Sequence, residues 1–289
     1  MSFKCMLVHV EGRPLPDPRL ALAVDLANQF GARLLGVGAE LYESSYYGGD
    51  GYGGDRYGGE GFGYGGDDLT EAKLKAVEAG LKRAEEKFRH AALQVQAGSE
   101  WRARVEFPLA TISAEARSAD LLITSRSERR GASEYDVAHP GALIMQTGRP
   151  VLVTPPGAPE LKVRSVVVAW KDTREARRAL VDALPFLQRA ETVLVAEICD
   201  NKSAEPATMD RLTDVASYLL DHGVQATVDA AIGERDAGAA DQFLDLAERQ
   251  KADLIVAGAF GHSRLQQWVF GGFTRTLLAQ TTRAVLLSH

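Results

Sequence analysis

The chain repeats itself at about half its length. ADLLIT (Ala119–Thr124), followed by RPVLVT (Arg149–Thr154), returns as ADLIVA (Ala252–Ala257), followed by RAVLLS (Arg283–Ser288). The first pair lies 133 residues apart and the second 134, so one residue is gained in the loop between them. Upstream, FKCMLVHV (Phe3–Val10) matches VRSVVVAW (Val163–Trp170), and ARLLGVGAE (Ala32–Glu40) matches ETVLVAEIC (Glu191–Cys199). A period this long means a tandem duplication, because solenoid repeats run to roughly 20–50 residues. Two domains are expected, at residues 1–155 and 162–289. Between them TPPGAPEL (Thr154–Leu161) reads as a linker, since its prolines and glycine disfavour helix and central strand.

Each half alternates apolar, β-branched runs with helical patterns. In the second half the strands are VRSVVVAW, ETVLVAEI, VQATVDAAI, DLIVAG and RAVLLS. The helices between them begin at Asp172 or Thr173 as N-cap, at ATMDRL, at DAGAAD and before RTLLAQTT. Gly223 stops the helix that ends at His222. Five strands and about four helices in this order predict an α/β fold, with two tandem doubly wound domains, each built on a five-stranded, mostly parallel sheet. Ligands in such sheets sit beyond the C-terminal strand ends, at the switch in strand order. The loops after Trp170 and Gly258 lie on that edge.

One segment departs from the repeat. YYGGDGYGGDRYGGEGFGYGGDD (Tyr46–Asp68) follows the second strand of the first half, where the second half has a short loop. Glycine at this density cannot build a core, so the segment reads as a surface insertion. Its interleaved Tyr and Phe leave self-association or a partner surface as the alternative. EAKLKAVEAGLKRAEEKFRH (Glu71–His90) then reads as an exposed amphipathic helix with i, i+4 ion pairs.

Charge and composition exclude several classes of function. Net charge is −6, which gives no basic face for nucleic acid. No apolar run reaches the ~18–20 residues of a membrane span, and the N-terminus has no signal-peptide layout, so a cytoplasmic protein is expected. Cys5 and Cys199, one per half, read as reduced packing residues. Of the six histidines no two sit at i, i+4. Cys5 and His9 in one strand are about 13 Å apart, too far to share a metal. Ser263 follows His262 without the G-x-S-x-G elbow of a hydrolase. No catalytic constellation is present.

The loop GAFGHSRLQQWVFGGFTR (Gly258–Arg275) carries the functional signal. Gly258 and Gly261 free backbone N–H groups to face an anion. Gly271 and Gly272 lie where the last helix begins, and helix N-termini attract phosphate. His262, Ser263, Arg264 and Thr274 add donors. Glycines after a strand also serve tight turns and close helix–sheet packing.

The spacing Gly258-x2-Gly261-x9-Gly271 after ADLIVAG, with GGFTRTLL and RAVLLS following, resembles the universal stress protein family. The resemblance covers nearly the whole chain as two tandem domains, outside Tyr46–Asp68. It implies the adenine nucleotide α-hydrolase-like fold and pairing of the two halves through their last strands. It also implies an ATP or AMP site in the second domain, with Mg2+ only where ATP is bound. The implied contact positions are Gly258, Gly261, His262, Ser263, Gly271, Gly272, Phe273 and Thr274, with Ala169, Trp170 and Lys171 at the end of the first strand. Nucleotide-binding members usually carry Asp-Gly-Ser after that strand; here Lys171 stands in the Asp position and Asp172 in the Gly position. Gly272 also replaces a small hydroxyl. Trp170 either stacks on an adenine or packs under the helix.

The first half departs further. Gly131 and Gly141 keep the nine-residue gap but fall three residues late, and Glu11 replaces the Asp. Its last helix is expected to begin near Glu134–Val137, where Glu134 and Asp136 would oppose phosphate. Arg126, Arg129 and Arg130 leave an anion site as an alternative. The first domain is therefore read as degenerate. The expectation is a stress-response module binding an adenine nucleotide in its second domain. The alternative is a nucleotide-independent scaffold with an unknown protein partner. A homodimer is compatible with either reading.

Overall fold

A computed structural model of the chain describes residues 2–12, 17–41, 66–125, 138–155, 157–158, 160–199, 201–233, 238–261 and 272–289. Its first half runs β1 (Cys5–His9), α1 (Pro18–Phe30), β2 (Arg33–Ala39), α2 (Gly66–Ala92), β3 (Ser99–Arg104), α3 (Pro108–Glu115), β4 (Leu121–Ser125), α4 (Pro140–Thr147) and β5 (Val151–Thr154). The second half repeats the order with β6 (Ser165–Ala169), α5 (Arg174–Leu187), β7 (Thr192–Cys199), α6 (Glu205–Asp221), β8 (Thr227–Ile232), α7 (Ala239–Arg249), β9 (Leu254–Gly258), α8 (Gly272–Gln280) and β10 (Ala284–Ser288).

The strands form one ten-stranded sheet in the order β3-β2-β1-β4-β5-β10-β9-β6-β7-β8. All neighbours run parallel except β5 and β10, which pair antiparallel with Leu152 opposite Leu286. The central strands are buried on both faces, which is why they read as unbroken apolar runs rather than alternating ones. The edge strands β3 and β8 are part-exposed and carry charged or polar residues among their apolar ones, a pattern that discourages edge-to-edge pairing.

The duplication extends to individual hydrogen bonds. Asp120 Oδ2 accepts from the backbone N–H groups of Lys4 and Cys5 at 2.7 and 3.0 Å. Asp253 Oδ2 accepts from Arg164 and Ser165 at 2.9 and 3.0 Å. Each Asp thus fixes the start of the first strand of its half beside the fourth. Thr147 and Thr281 likewise accept from the N–H groups of Arg149 and Arg283, closing the turn into the last strand.

Across the seam the halves share an aromatic cluster. Phe3, Phe30 and Phe186 meet edge-on or tilted with centroids 5.1–5.3 Å apart. The Arg189 guanidinium lies 4.2 Å above the Phe30 ring, a cation–π contact from the second half to the first.

Two expectations need correction. The last helix of the first half begins at Pro140, not near Glu134–Val137. His139 Nδ1 caps it by accepting from Gly141 N–H at 3.1 Å, and proline fits the first helical position because its missing N–H has no partner there in any case. Residues 126–137, with Arg126, Arg129, Arg130, Gly131, Glu134 and Asp136, lie outside the described residues. The insertion is also shorter than Tyr46–Asp68, because α2 begins at Gly66; its residues 46–65 lie outside the described residues. The helix over Glu71–His90 is present and carries the expected i, i+4 pairs Glu71–Lys75 and Glu85–Arg89.

Candidate functional site

In the second half β6 pairs with β7 on one side and β9 on the other, so the strand order switches between β6 and β9. The segments leaving these two C-terminal ends, Trp170–Thr173 and Ala259–Gly261, face each other there. Thr173 is the N-cap of α5, its hydroxyl accepting from Ala176 N–H at 3.3 Å. Asp172, the other candidate cap, pairs instead with Arg177 at 2.5 Å near the surface.

Gly258 has a steric reason to be glycine. A Cβ on it would lie 2.5 Å from the Ala176 nitrogen and 2.6 Å from the Glu175 carbonyl carbon. The first turn of α5 therefore packs directly on the end of β9, and any side chain at 258 would push it away. This is the close helix–strand packing that the sequence left as an alternative to anion binding. Beyond it Ala259 N–H donates to Ser288 O at 2.8 Å and extends the ladder by one residue. Phe260 then takes a left-handed conformation, with φ 59°, and turns the chain toward Gly261.

Gly261 is constrained in a different way. A Cβ there would stand 3.0 Å from Glu175 Oε2 and 3.7 Å from Thr173 Oγ1. Glu175 is 3% exposed, so the bare face of Gly261 looks onto a buried carboxylate. Burial alone would raise the Glu175 pKa. Hydrogen bonds from the Arg174 side chain, its own backbone N–H and Thr173, with the Arg174 charge, outweigh burial and hold it below the usual range. Glu175 is thus ionised at neutral pH. Sequence reasoning missed it, because nothing in TRE (Thr173–Glu175) signals a neighbour more than eighty residues downstream.

The other expected positions fall into two groups. Ala169 and Trp170 are buried, and Trp170 belongs to the core under α5 rather than offering an open ring face. Its indole Nε1–H is buried with no acceptor among the described residues. Lys171 is exposed. Phe273 packs edge-on against Phe243 of α7, centroids 5.8 Å apart. Thr274 is 2% exposed, and its hydroxyl accepts weakly from Phe260 N–H at 3.5 Å, tying α8 to the turn. Gly272 is exposed with nothing within 4 Å of its Cβ position. His262, Ser263 and Gly271 lie outside the described residues.

The first half differs at the matching edge. A Cβ on Gly12, just after β1, would lie 2.1 Å from the Gly80 carbonyl oxygen in α2. Arg83 Nε donates to Gly12 O at 3.0 Å. The long helix α2 therefore lies across this strand end, backbone against backbone. Below it His9 is 5% exposed and its Nε2 has no partner among the described residues. Burial, then the nearby Arg19 charge, pushes the His9 pKa down to about 4.

Among the described residues no cluster of three or more His, Cys, Asp or Glu is placed to hold a metal ion. No helix among them is long and apolar enough to cross a membrane. Cys5 and Cys199 are both free and buried.

Comparison with known proteins decides the family of the second half. The model of the universal stress protein family matches residues 162–289. The second half of the chain is the part that matches this family. No curated protein matches the sequence. The universal stress protein fold extends over both halves. A universal stress protein from Archaeoglobus fulgidus DSM 4304 is 15% identical with a TM-score of 0.64, covering 98% of this chain and 95% of its own. A protein of unknown function from Pseudomonas aeruginosa PAO1 is 14% identical with a TM-score of 0.60, covering 99% of this chain and 92% of its own. At these identities the likeness establishes fold.

Proposed function

We propose that the protein is a stress-response module that binds an adenine nucleotide at the β6/β9 switch point of its universal stress protein domain. The observation that carries this reading is the pairing of the α5 N-terminus with the glycine turn. The first turn of α5, Gly258 and Gly261 meet at the strand-order switch, within the part of the chain that the family model matches. Trp170 supports it with a buried indole N–H that has no acceptor among the described residues. An orphaned buried donor is costly unless a ligand or water meets it. Among the described residues of the first half, α2 lies over the equivalent strand end, which favours the second half as the binding domain. Where ATP is the ligand, Mg2+ would arrive with it. The protein acts by binding, with at most slow hydrolysis, in the cytoplasm.

Calorimetric titration of the full chain with AMP, and with ATP plus Mg2+, tests this reading. One site per chain is expected. Gly261→Val should abolish binding while the cooperative melt is retained, since its side chain would press on the Glu175 carboxylate and displace the turn. No heat with either ligand at millimolar concentration contradicts the proposal and favours a nucleotide-independent scaffold. The commitment of Trp170, Phe273 and Thr274 to packing fits that second reading.

A further inference from the structure

Glu175 is the one charged side chain among the described residues that is both buried and set against the glycine turn. It sits in the second helical position of α5, after the Thr173 cap and Arg174. The N-terminus of a helix at a switch point is ordinarily free to receive a phosphate through its N–H groups and dipole. Here the chain supplies its own anion to that terminus: Glu175 folds back onto its own N–H and the Thr173 hydroxyl. Its Oε1 pairs with Arg174, whose side chain is 80% exposed and so is a screened, solvated partner. Its Oε2 is the atom that faces Gly261. The other cation on this turn of the helix, Arg177, pairs with Asp172.

A ligand phosphate brought to the backbone of Gly261 would therefore meet a carboxylate fixed in a buried position, where charge repulsion is stronger than at the surface. A ribose hydroxyl brought there would meet an acceptor. The two outcomes scale differently with the ligand: the repulsion grows with each phosphate, and the hydroxyl contact does not.

From this geometry we propose that Glu175 is a specificity-determining residue that turns the site away from polyphosphate chains, so that it takes adenosine or AMP in preference to ATP. The proposal rests on the adenine-nucleotide reading above and deepens it.

The test is calorimetry of the full chain with adenosine, AMP and ATP, on the wild type and on Glu175→Gln, with far-UV circular dichroism to confirm folding. Glu175→Ser serves as a second neutral variant suited to a first helical turn, should the amide pack poorly. In the wild type AMP is expected to bind at least about tenfold more tightly than ATP. The neutral variant should close that gap by about tenfold, roughly 1.4 kcal/mol, and leave adenosine within about twofold. A folded neutral variant with an unchanged AMP-to-ATP ratio overturns the role of Glu175 and leaves the nucleotide reading standing. So does a wild type that prefers ATP. Failure of all three ligands to bind either protein overturns the nucleotide reading itself, and the proposal with it.

Discussion

At the scale of single residues, the strand-end glycines of this protein do different work. Gly258 admits the first turn of α5, and Gly261 lets the turn pass close to a carboxylate. Gly258→Ala should cost about 1–3 kcal/mol, because the added methyl meets backbone rather than a flexible side chain. Thermal or denaturant melting checks this; a neutral result would show that α5 can shift at no cost. His9 gives a second prediction. Its pKa is about 4 in the folded chain against 6.5 for an ordinary histidine, so between these values the unfolded chain binds the extra proton. Stability should therefore be full above pH 6.5 and fall as pH drops from 6.5 toward 4, by up to about 3 kcal/mol. The groups facing His9 are Arg19, Glu11, Asp17 and the Ala39 backbone, with Arg19 opposing protonation and the carboxylates favouring it. Replacing His9 with Asn should flatten this part of the pH profile. A slope unchanged in the variant would assign it to other groups.

At the scale of elements, most of the architecture was legible in the sequence. Strands buried on both faces announce themselves as runs such as LVHV, LLIT and VVVA, and the cap at Thr173 and the stop at Gly223 are local chemistry. What could not be read depends on contacts between segments far apart in sequence. The steric need for Gly258 comes from a helix more than eighty residues upstream, and Gly12 meets Gly80 through a backbone contact that no periodicity encodes. The start of α4 was placed too early in the chain. There the local signals, proline at 140 and a capping His139, decide the boundary. Within the site, the sequence marked the turn but not Glu175. A carboxylate in the first turn of a helix is too common to stand out, since it complements the dipole of almost any helix.

At the scale of the whole molecule, the antiparallel β5–β10 pair makes two five-stranded units into one sheet. The Phe3–Phe30–Phe186 cluster, with Arg189 over Phe30, packs the helices across the same seam. The halves should therefore unfold together. Trp101 lies in the first half and Trp170 in the second, so in variants that each retain one of them the fluorescence midpoint should coincide with the far-UV circular dichroism midpoint of the same variant. Phe186→Ala should lower stability by about 3–5 kcal/mol and separate these two midpoints within each variant if the cluster couples the halves. Fluorescence and circular dichroism midpoints that differ within an otherwise unaltered variant would show two independent units.

The duplicated sheet offers two switch points, and ligand binding is proposed at the second. The most direct test is a crystal structure of the full chain grown with AMP. One AMP per chain is expected, lying between Trp170–Thr173 and Gly258–Gly261 beyond the ends of β6 and β9, with the first-half strand ends still covered by α2. AMP at the β1/β4 edge, or a β6/β9 edge that stays empty at saturating AMP, would contradict it.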